Sequence, residues 1–89
     1  MDRPGPFMPV ALVVEDDAFQ RLAAVTLLEE SGMEVTECES AEAARGVLEK
    51  IGGRVSMMFT DVNLAGTVDG IELARYAKQH YPEIHVIVT

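Results

Sequence analysis

The stretch Met57-Met58-Phe59-Thr60-Asp61-Val62-Asn63-Leu64 decides the fold of this 89-residue chain. Its first half is a short apolar run of residues that suit a β-strand, and the turn-forming residues Gly66, Asp69 and Gly70 follow it. A buried strand that ends in a loop is therefore predicted, with Asp61 at its carboxyl end. In an open parallel α/β sheet, that end of the strands is where ligands bind. Asp61 is thus the first candidate for a functional residue.

Strands and helices alternate along the rest of the chain. Short β-favouring runs predict strands over 10–14, 33–38, 55–60 and 84–89, and helical spacing predicts helices over 18–30, 41–50 and from Asp69-Gly70 to Pro82. Parallel strands need crossovers of this length between them, and such crossovers are right-handed. The βαβαβαβ order therefore predicts one α/β domain with a parallel sheet.

Residue patterns also predict which parts of these elements face the core. The run 10–14 is apolar throughout and is expected to be covered on both faces, whereas the acidic positions of 33–38 indicate a strand at the edge of the sheet. Asp17 and Ser40 are expected to cap the first two helices. The predicted apolar faces comprise Ala18, Leu22, Ala24, Val25 and Leu28 in the first helix, and Ile71, Ala74 and Tyr76 or Ala77 in the third.

Composition narrows the class of protein and its partners. Fifteen Asp and Glu against seven Lys and Arg give a formal net charge of −8, which argues against direct contact with nucleic acid or an anionic membrane, because like charges repel. A single cysteine, Cys38, and the lack of a signal-peptide pattern predict a cytoplasmic location. Residues 1–9, which include three prolines, are expected to form a flexible leader before a domain at 10–89.

Acidic or hydroxyl side chains follow or end three of the four predicted strands. Glu15 and Asp16 follow the first strand, Asp61 ends the third and Thr89 ends the fourth. Parallel strands bring these ends together, and carboxylates held so close repel each other unless a cation neutralises them. Mg²⁺ prefers oxygen ligands and commonly accompanies phosphates. Glu15 and Asp16 are adjacent, as metal ligands often are, whereas Asp61 is alone on its strand. Asp61 is therefore the best candidate for a nucleophile that forms an aspartyl phosphate. Asp17 is interpreted as a helix cap and not as a metal ligand.

Four segments together resemble the response-regulator receiver domain of two-component signalling. They are Leu12–Asp17, Thr60–Leu64, Asp69-Gly70 and Val86–Thr89. The resemblance implies a doubly wound parallel sheet of the flavodoxin-like type. It also implies that the protein is a signalling switch, phosphorylated by a sensor histidine kinase in a self-catalysed, Mg²⁺-dependent reaction, and not a turnover enzyme.

The same resemblance implies a role for each residue of the site. Asp61 accepts the phosphoryl group. Mg²⁺ is bound by Glu15, Asp16, Asp61 and the backbone carbonyl of Asn63. Thr89 matches the position whose hydroxyl turns toward the phosphoryl group on activation, and a hydroxyl can donate a hydrogen bond to a phosphate oxygen.

The sequence departs from the receiver pattern in two places. Ala65 stands where the family usually has a proline, and one additional residue precedes Asp69-Gly70, changes that a loop tolerates. The resemblance also places a helix, a strand with a lysine and a switch aromatic, and a last helix after the fourth strand. The 89 residues contain none of these, so the chain is expected to be a truncated receiver that is phosphorylated slowly or not at all. Its fourth strand is then an exposed apolar edge through which copies are expected to associate.

Two other functions stay open on the sequence alone. A phosphorylation-independent interaction or dimerisation module would keep the acidic pocket but use its surface only for binding. Mg²⁺ binding together with phosphorylation of Asp61 would distinguish the switch from such a module. A phosphatase with an aspartate nucleophile would need a second carboxylate two residues later, where Asn63 stands, and therefore ranks last.

Overall fold

The computed structural model describes residues 8–66 and 68–89, so most of the expected leader, residues 1–7, lies outside the described part. The elements in chain order are β1 (Val10–Val14), α1 (Ala18–Glu30), β2 (Glu34–Cys38), α2 (Ala41–Ile51), a 3-10 turn (Gly52–Arg54), β3 (Val55–Thr60), α3 (Gly70–His80) and β4 (His85–Val88). This confirms the predicted order. The ends of β2, α2 and β4 differ from the prediction by one residue, and α3 ends at His80, two residues before Pro82, because the residue before a proline disfavours the helical conformation. None of the helices in these two segments is long and apolar enough to cross a membrane.

The four strands form one parallel sheet in the order β2-β1-β3-β4. β1 is buried along its whole length, and β2 lies at an edge with Glu34 and Glu37 exposed, as predicted. The register places Val14 beside Thr60, and Thr60 beside Val88. The carboxyl ends of β1, β3 and β4 therefore meet at the same end of the sheet.

Helices cover both faces of the sheet. Leu12 and Val14 of β1 join a buried cluster with Leu48 of α2 and Leu73 of α3. Val13 is also fully buried, and its side chain points to the opposite face because side chains alternate along a strand. α1 packs against β1 and β2 on that face. The predicted doubly wound α/β fold is confirmed.

The core faces of two helices differ from the prediction. Leu22 is 61% exposed, and Val25 is the buried residue of α1. In α3, Leu73 and Ala77 are buried whereas Ile71 is 44% exposed. α1 carries apolar residues around most of its circumference, so periodicity does not select one face. The buried positions of α3 are 70, 73 and 77, which lie on one face of the helix at i, i+3 and i+7. Ile71 does not belong to this face.

Side-chain caps fix where each helix begins. Asp17, Ser40 and Asp69 each accept a hydrogen bond from the backbone N–H three residues further on, at 3.0, 3.1 and 2.9 Å. Such a cap stabilises a helix by about 1 kcal/mol. The loops that follow β1 and β3 carry the acidic residues. The caps at Asp17 and Asp69 fix where α1 and α3 begin after these loops.

Candidate functional site

Three carboxylates meet at the carboxyl end of the sheet. Glu15 and Asp16 follow β1 and Asp61 follows β3, and one carboxylate oxygen from each lies within 4.8 Å of the other two. Glu15 is only 8% exposed, Asp61 is half-buried and Asp16 is exposed. The structure thus brings together the three predicted side-chain ligands.

Backbone N–H groups orient all three carboxylates. Glu15, Asp16 and Asp61 each accept one such hydrogen bond, at 3.0, 3.2 and 3.1 Å respectively. The donors are the N–H groups of Asp17, Ala65 and Asn63. A carboxylate offers about four lone-pair sites, so these bonds leave capacity for a cation. The role of the Asn63 carbonyl as a metal ligand stays a prediction.

Burial raises the pKa of Glu15 above its ordinary value. The nearby charges of Asp61 and Asp16 add to the increase, and the hydrogen bond from the Asp17 amide opposes it. The ionised form of Glu15 is therefore less favourable in the folded protein than in the unfolded chain. Stability is consequently lost as pH rises from the ordinary pKa of glutamate through the raised one.

Replacing Glu15 by Gln is expected to stabilise the metal-free protein at neutral pH by about 1 kcal/mol, because the amide removes one of three adjacent negative charges. The Gln oxygen can still accept the hydrogen bond from Asp17. Thermal unfolding in EDTA checks this, with Glu30→Gln at the exposed end of α1 as the matched control. The gain should disappear below the ordinary pKa of glutamate, where Glu15 is protonated in both states. A gain that persists in acid would contradict the assignment to charge.

The backbone of Asp61 is enclosed by two neighbours. Thr60 is fully buried, and its hydroxyl donates to the carbonyl of Asp61 at 3.0 Å. Gly70, the first residue of α3, donates its N–H to the carbonyl of Val62 at 2.9 Å, and a Cβ on Gly70 would overlap the carbonyl of Asp61. The start of α3 therefore packs directly on the backbone that carries Asp61, which explains why glycine follows Asp69.

Thr89 lies immediately after β4, one residue beyond the end of the strand. Its N–H donates to the carbonyl of Thr60 and its carbonyl accepts from the N–H of Val62, both at 2.9 Å. These bonds join the end of β4 to the loop that carries Asp61. Thr89 is exposed and lines a groove of about 360 Å³ together with Glu15 and residues of α1 and β3. The proposed role of its hydroxyl stays a prediction.

The donor set suits a small, hard cation. The cluster of Glu15, Asp16 and Asp61 offers carboxylate oxygens and, within the described residues, no imidazole or thiolate. Zn²⁺ prefers nitrogen and sulfur ligands, whereas Mg²⁺ prefers oxygen and binds through one or two carboxylates while keeping several waters. The residues present therefore fit Mg²⁺.

Fold and site together define a class: a parallel α/β domain with an acidic pocket at the carboxyl ends of β1 and β3. The family model described as "Response regulator receiver domain" matches residues 11–89. The chain belongs to this family.

The chain is also similar to individual proteins of known sequence or structure. The chain is 33% identical over 76 residues to the sensor kinase CckA of Brucella abortus (strain 2308), a match that covers 85% of this chain and 8% of the kinase. Its fold is similar to a response regulator receiver protein from Pseudomonas putida, with a TM-score of 0.80, 29% identity, and 92% and 67% of the two chains covered. A receiver protein from Sinorhizobium medicae WSM419 gives a TM-score of 0.84 at 25% identity, with 91% and 64% covered. The chain thus spans a small part of the kinase and about two thirds of these solved receivers.

Proposed function

We propose that this domain accepts a phosphoryl group on Asp61 from the phosphohistidine of a sensor histidine kinase. In this proposal Mg²⁺ is bound by Glu15, Asp16, Asp61 and the carbonyl of Asn63. The observation that best supports this proposal is that three carboxylates lie together at the carboxyl end of the sheet in a chain of the receiver family. The similarity to a sensor kinase supports a histidine kinase as the phosphoryl donor.

Asp61 is the nucleophile of the proposed reaction. One of its carboxylate oxygens forms a bond to phosphorus as the bond between phosphorus and the donor histidine nitrogen breaks. The leaving imidazole keeps the electron pair and takes a proton from solvent. The N–H of Asn63 orients the attacking group through Oδ1 of Asp61, and the hydroxyl of Thr89 donates to a phosphoryl oxygen. Bound Mg²⁺ would supply positive charge to the phosphoryl oxygens.

The phosphoryl group stays on the protein in this scheme, so the domain acts as a switch and not as a turnover enzyme. The single cysteine of the chain, Cys38, is buried and unpaired, which supports a reducing, cytoplasmic location. The net charge of −8 supports a protein partner and opposes direct contact with nucleic acid or an anionic membrane surface.

Intact-mass spectrometry tests the acceptor chemistry without a kinase. The protein is incubated for a long period with acetyl phosphate, in Mg²⁺ or in EDTA. We expect a single phosphoryl adduct that accumulates slowly in Mg²⁺ and none in EDTA, because the carboxylates and the incoming phosphoryl oxygens repel each other without a cation. The same yield in both conditions, or no adduct in either, would contradict the proposal.

Association between copies of this chain is a second candidate function, favoured by β4. Among the described residues, β4 pairs with β3 only, so its other edge offers backbone groups for pairing. Val86, Ile87 and Val88 are apolar, unlike the acidic edge at β2. We expect the 89-residue chain to dimerise by pairing of two β4 edges. Light scattering over a range of concentrations checks this, and a monomer throughout the range would rule it out.

A further inference from the structure

Arg21 connects α1 to the acidic cluster and to the edge strand. Its Nη1 donates to the backbone carbonyl of Glu15 at 2.8 Å, and its Nε donates to Oε1 of Glu37 on β2 at 3.0 Å. The side chain of Arg21 is only 16% exposed, whereas that of Glu37 is 55% exposed. The Arg21 side chain is therefore mostly buried, and two charge-assisted hydrogen bonds hold its guanidinium in place.

Among the described residues, no strand of the sheet donates a hydrogen bond to the Glu15 carbonyl. The last hydrogen bond from the β3 side runs from the N–H of Asp61 to the carbonyl of Val14, at 3.2 Å. Glu15 lies one residue further on, and its own N–H donates to the carbonyl of Cys38 at 3.0 Å. Arg21 thus fixes the one backbone group of Glu15 that the neighbouring strands leave unbound.

Glu37 determines the orientation of the Arg21 guanidinium. The guanidinium is planar and presents its donors in a fixed geometry, so the bond from Nε to Glu37 sets the direction in which Nη1 points. Glu37 pairs with Val13 in the β1–β2 register, next to the end of β1. A carboxylate at that position aims Arg21 at the backbone from which Glu15 and Asp16 project.

We propose that Arg21 is a positioning residue for the metal ligands. It fixes the backbone after β1, and with it the directions of the Glu15 and Asp16 carboxylates, and so sets the affinity of the cluster for Mg²⁺ without contacting the ion. This inference rests on the proposed function. Removing a partner that orients a metal ligand typically weakens metal binding about 10–100-fold.

The charge and the position of Arg21 have opposite effects on cation binding. A positive charge near the cluster repels Mg²⁺, so loss of charge alone would strengthen binding. Loss of the hydrogen bonds would weaken it, because the carboxylates would no longer be held in place. Arg21→Met removes both the charge and the bonds, whereas Arg21→Lys keeps the charge and loses the planar pair of donors.

Calorimetric titration with Mg²⁺ separates the two effects. We expect binding about tenfold weaker in Arg21→Met and roughly threefold weaker in Arg21→Lys. The matched control is Arg54→Met, which removes an arginine that pairs with Glu34 of the same edge strand at 3.7 Å, at the opposite end of the sheet. This control should bind Mg²⁺ as the unmodified protein does. Unchanged or tighter binding in both Arg21 variants would overturn the proposal.

A second measurement needs no metal. The amide proton of Asp17 reports the position of the Glu15 carboxylate, because it donates to Oε2 at 3.0 Å. We expect its NMR resonance to move in Arg21→Lys and Glu37→Gln and to stay in place in Arg54→Met. If the unmodified protein bound no Mg²⁺, the proposed function and the effect of Arg21 on affinity would both fail, and this resonance would still show whether Arg21 positions the Glu15 carboxylate. If Arg21→Met does not fold, the Lys variant and Glu37→Gln decide it in the same way.

Discussion

Asp61→Asn is expected to abolish the phosphoryl adduct completely, whereas Asp17→Asn is expected to leave it intact. The Asn side chain has the size of Asp, and its oxygen can accept the hydrogen bond from Asn63, but an amide oxygen is not a competent nucleophile towards phosphorus. Asp17 lies in the same acidic run, yet its side chain caps α1 through the N–H of Gln20. Asn caps a helix as well as Asp does.

Intact-mass spectrometry after incubation with acetyl phosphate and Mg²⁺ measures this difference directly. Circular dichroism should show that both variants are folded, since neither change creates a cavity or a clash. An adduct of undiminished yield in Asp61→Asn would contradict the assignment of the nucleophile. Loss of the adduct in Asp17→Asn would show that Asp17 does more than cap the helix.

Gly70→Ala is expected to destabilise the fold by about 3 kcal/mol or more, which is a large part of the stability of a domain of this size. The added Cβ would overlap the carbonyl of Asp61 and lie 2.9 Å from Cα of Val62. Both neighbours are backbone atoms, so no side-chain rotation relieves the overlap, and α3 must move away from the loop that carries Asp61.

Gly46→Ala is the matched control for this change. Gly46 lies within α2, and a Cβ built on it would meet none of the described residues within 4 Å. Alanine there should stabilise the protein by about 0.5–1 kcal/mol, because it lowers the backbone entropy lost on forming a helix. Urea unfolding of the two variants tests the pair, and equal stability of Gly70→Ala and the unmodified protein would refute the proposed contact.

Local sequence signals were sufficient to predict most of the fold. The continuous apolar run at Val10–Val14 predicts a strand buried on both faces, and the short polar side chains of Asp17 and Ser40 predict the starts of two helices; both predictions depend only on neighbouring residues. The meeting of Glu15 with Asp61 was also predictable, because parallel strands place their carboxyl ends together. The distance between them depends on the pairing of Val14 with Thr60, and this register is known only from the structure of the sheet.

Contacts between distant segments were not predictable in the same way. Arg21 stands among basic residues that are scattered along the sequence, and its partner Glu37 lies sixteen positions away. The pair forms only once β1 and β2 are in register. Ala65 has no polar side chain to mark it, and it contacts Asp16 through its backbone N–H when the loop after β3 folds back. The exposure of Leu22 depends on the helix phase, which packing decides.

The site of phosphorylation is the most direct test of the whole account. The protein phosphorylated in Mg²⁺ is treated with borohydride, which reduces an aspartyl phosphate to homoserine, and is then digested and sequenced by tandem mass spectrometry. We expect homoserine at position 61, with Asp16 and Glu15 unchanged. Reduction at Asp16 or Glu15, or phosphorylation without a reduced residue at position 61, would contradict the claim that Asp61 is the phosphoacceptor.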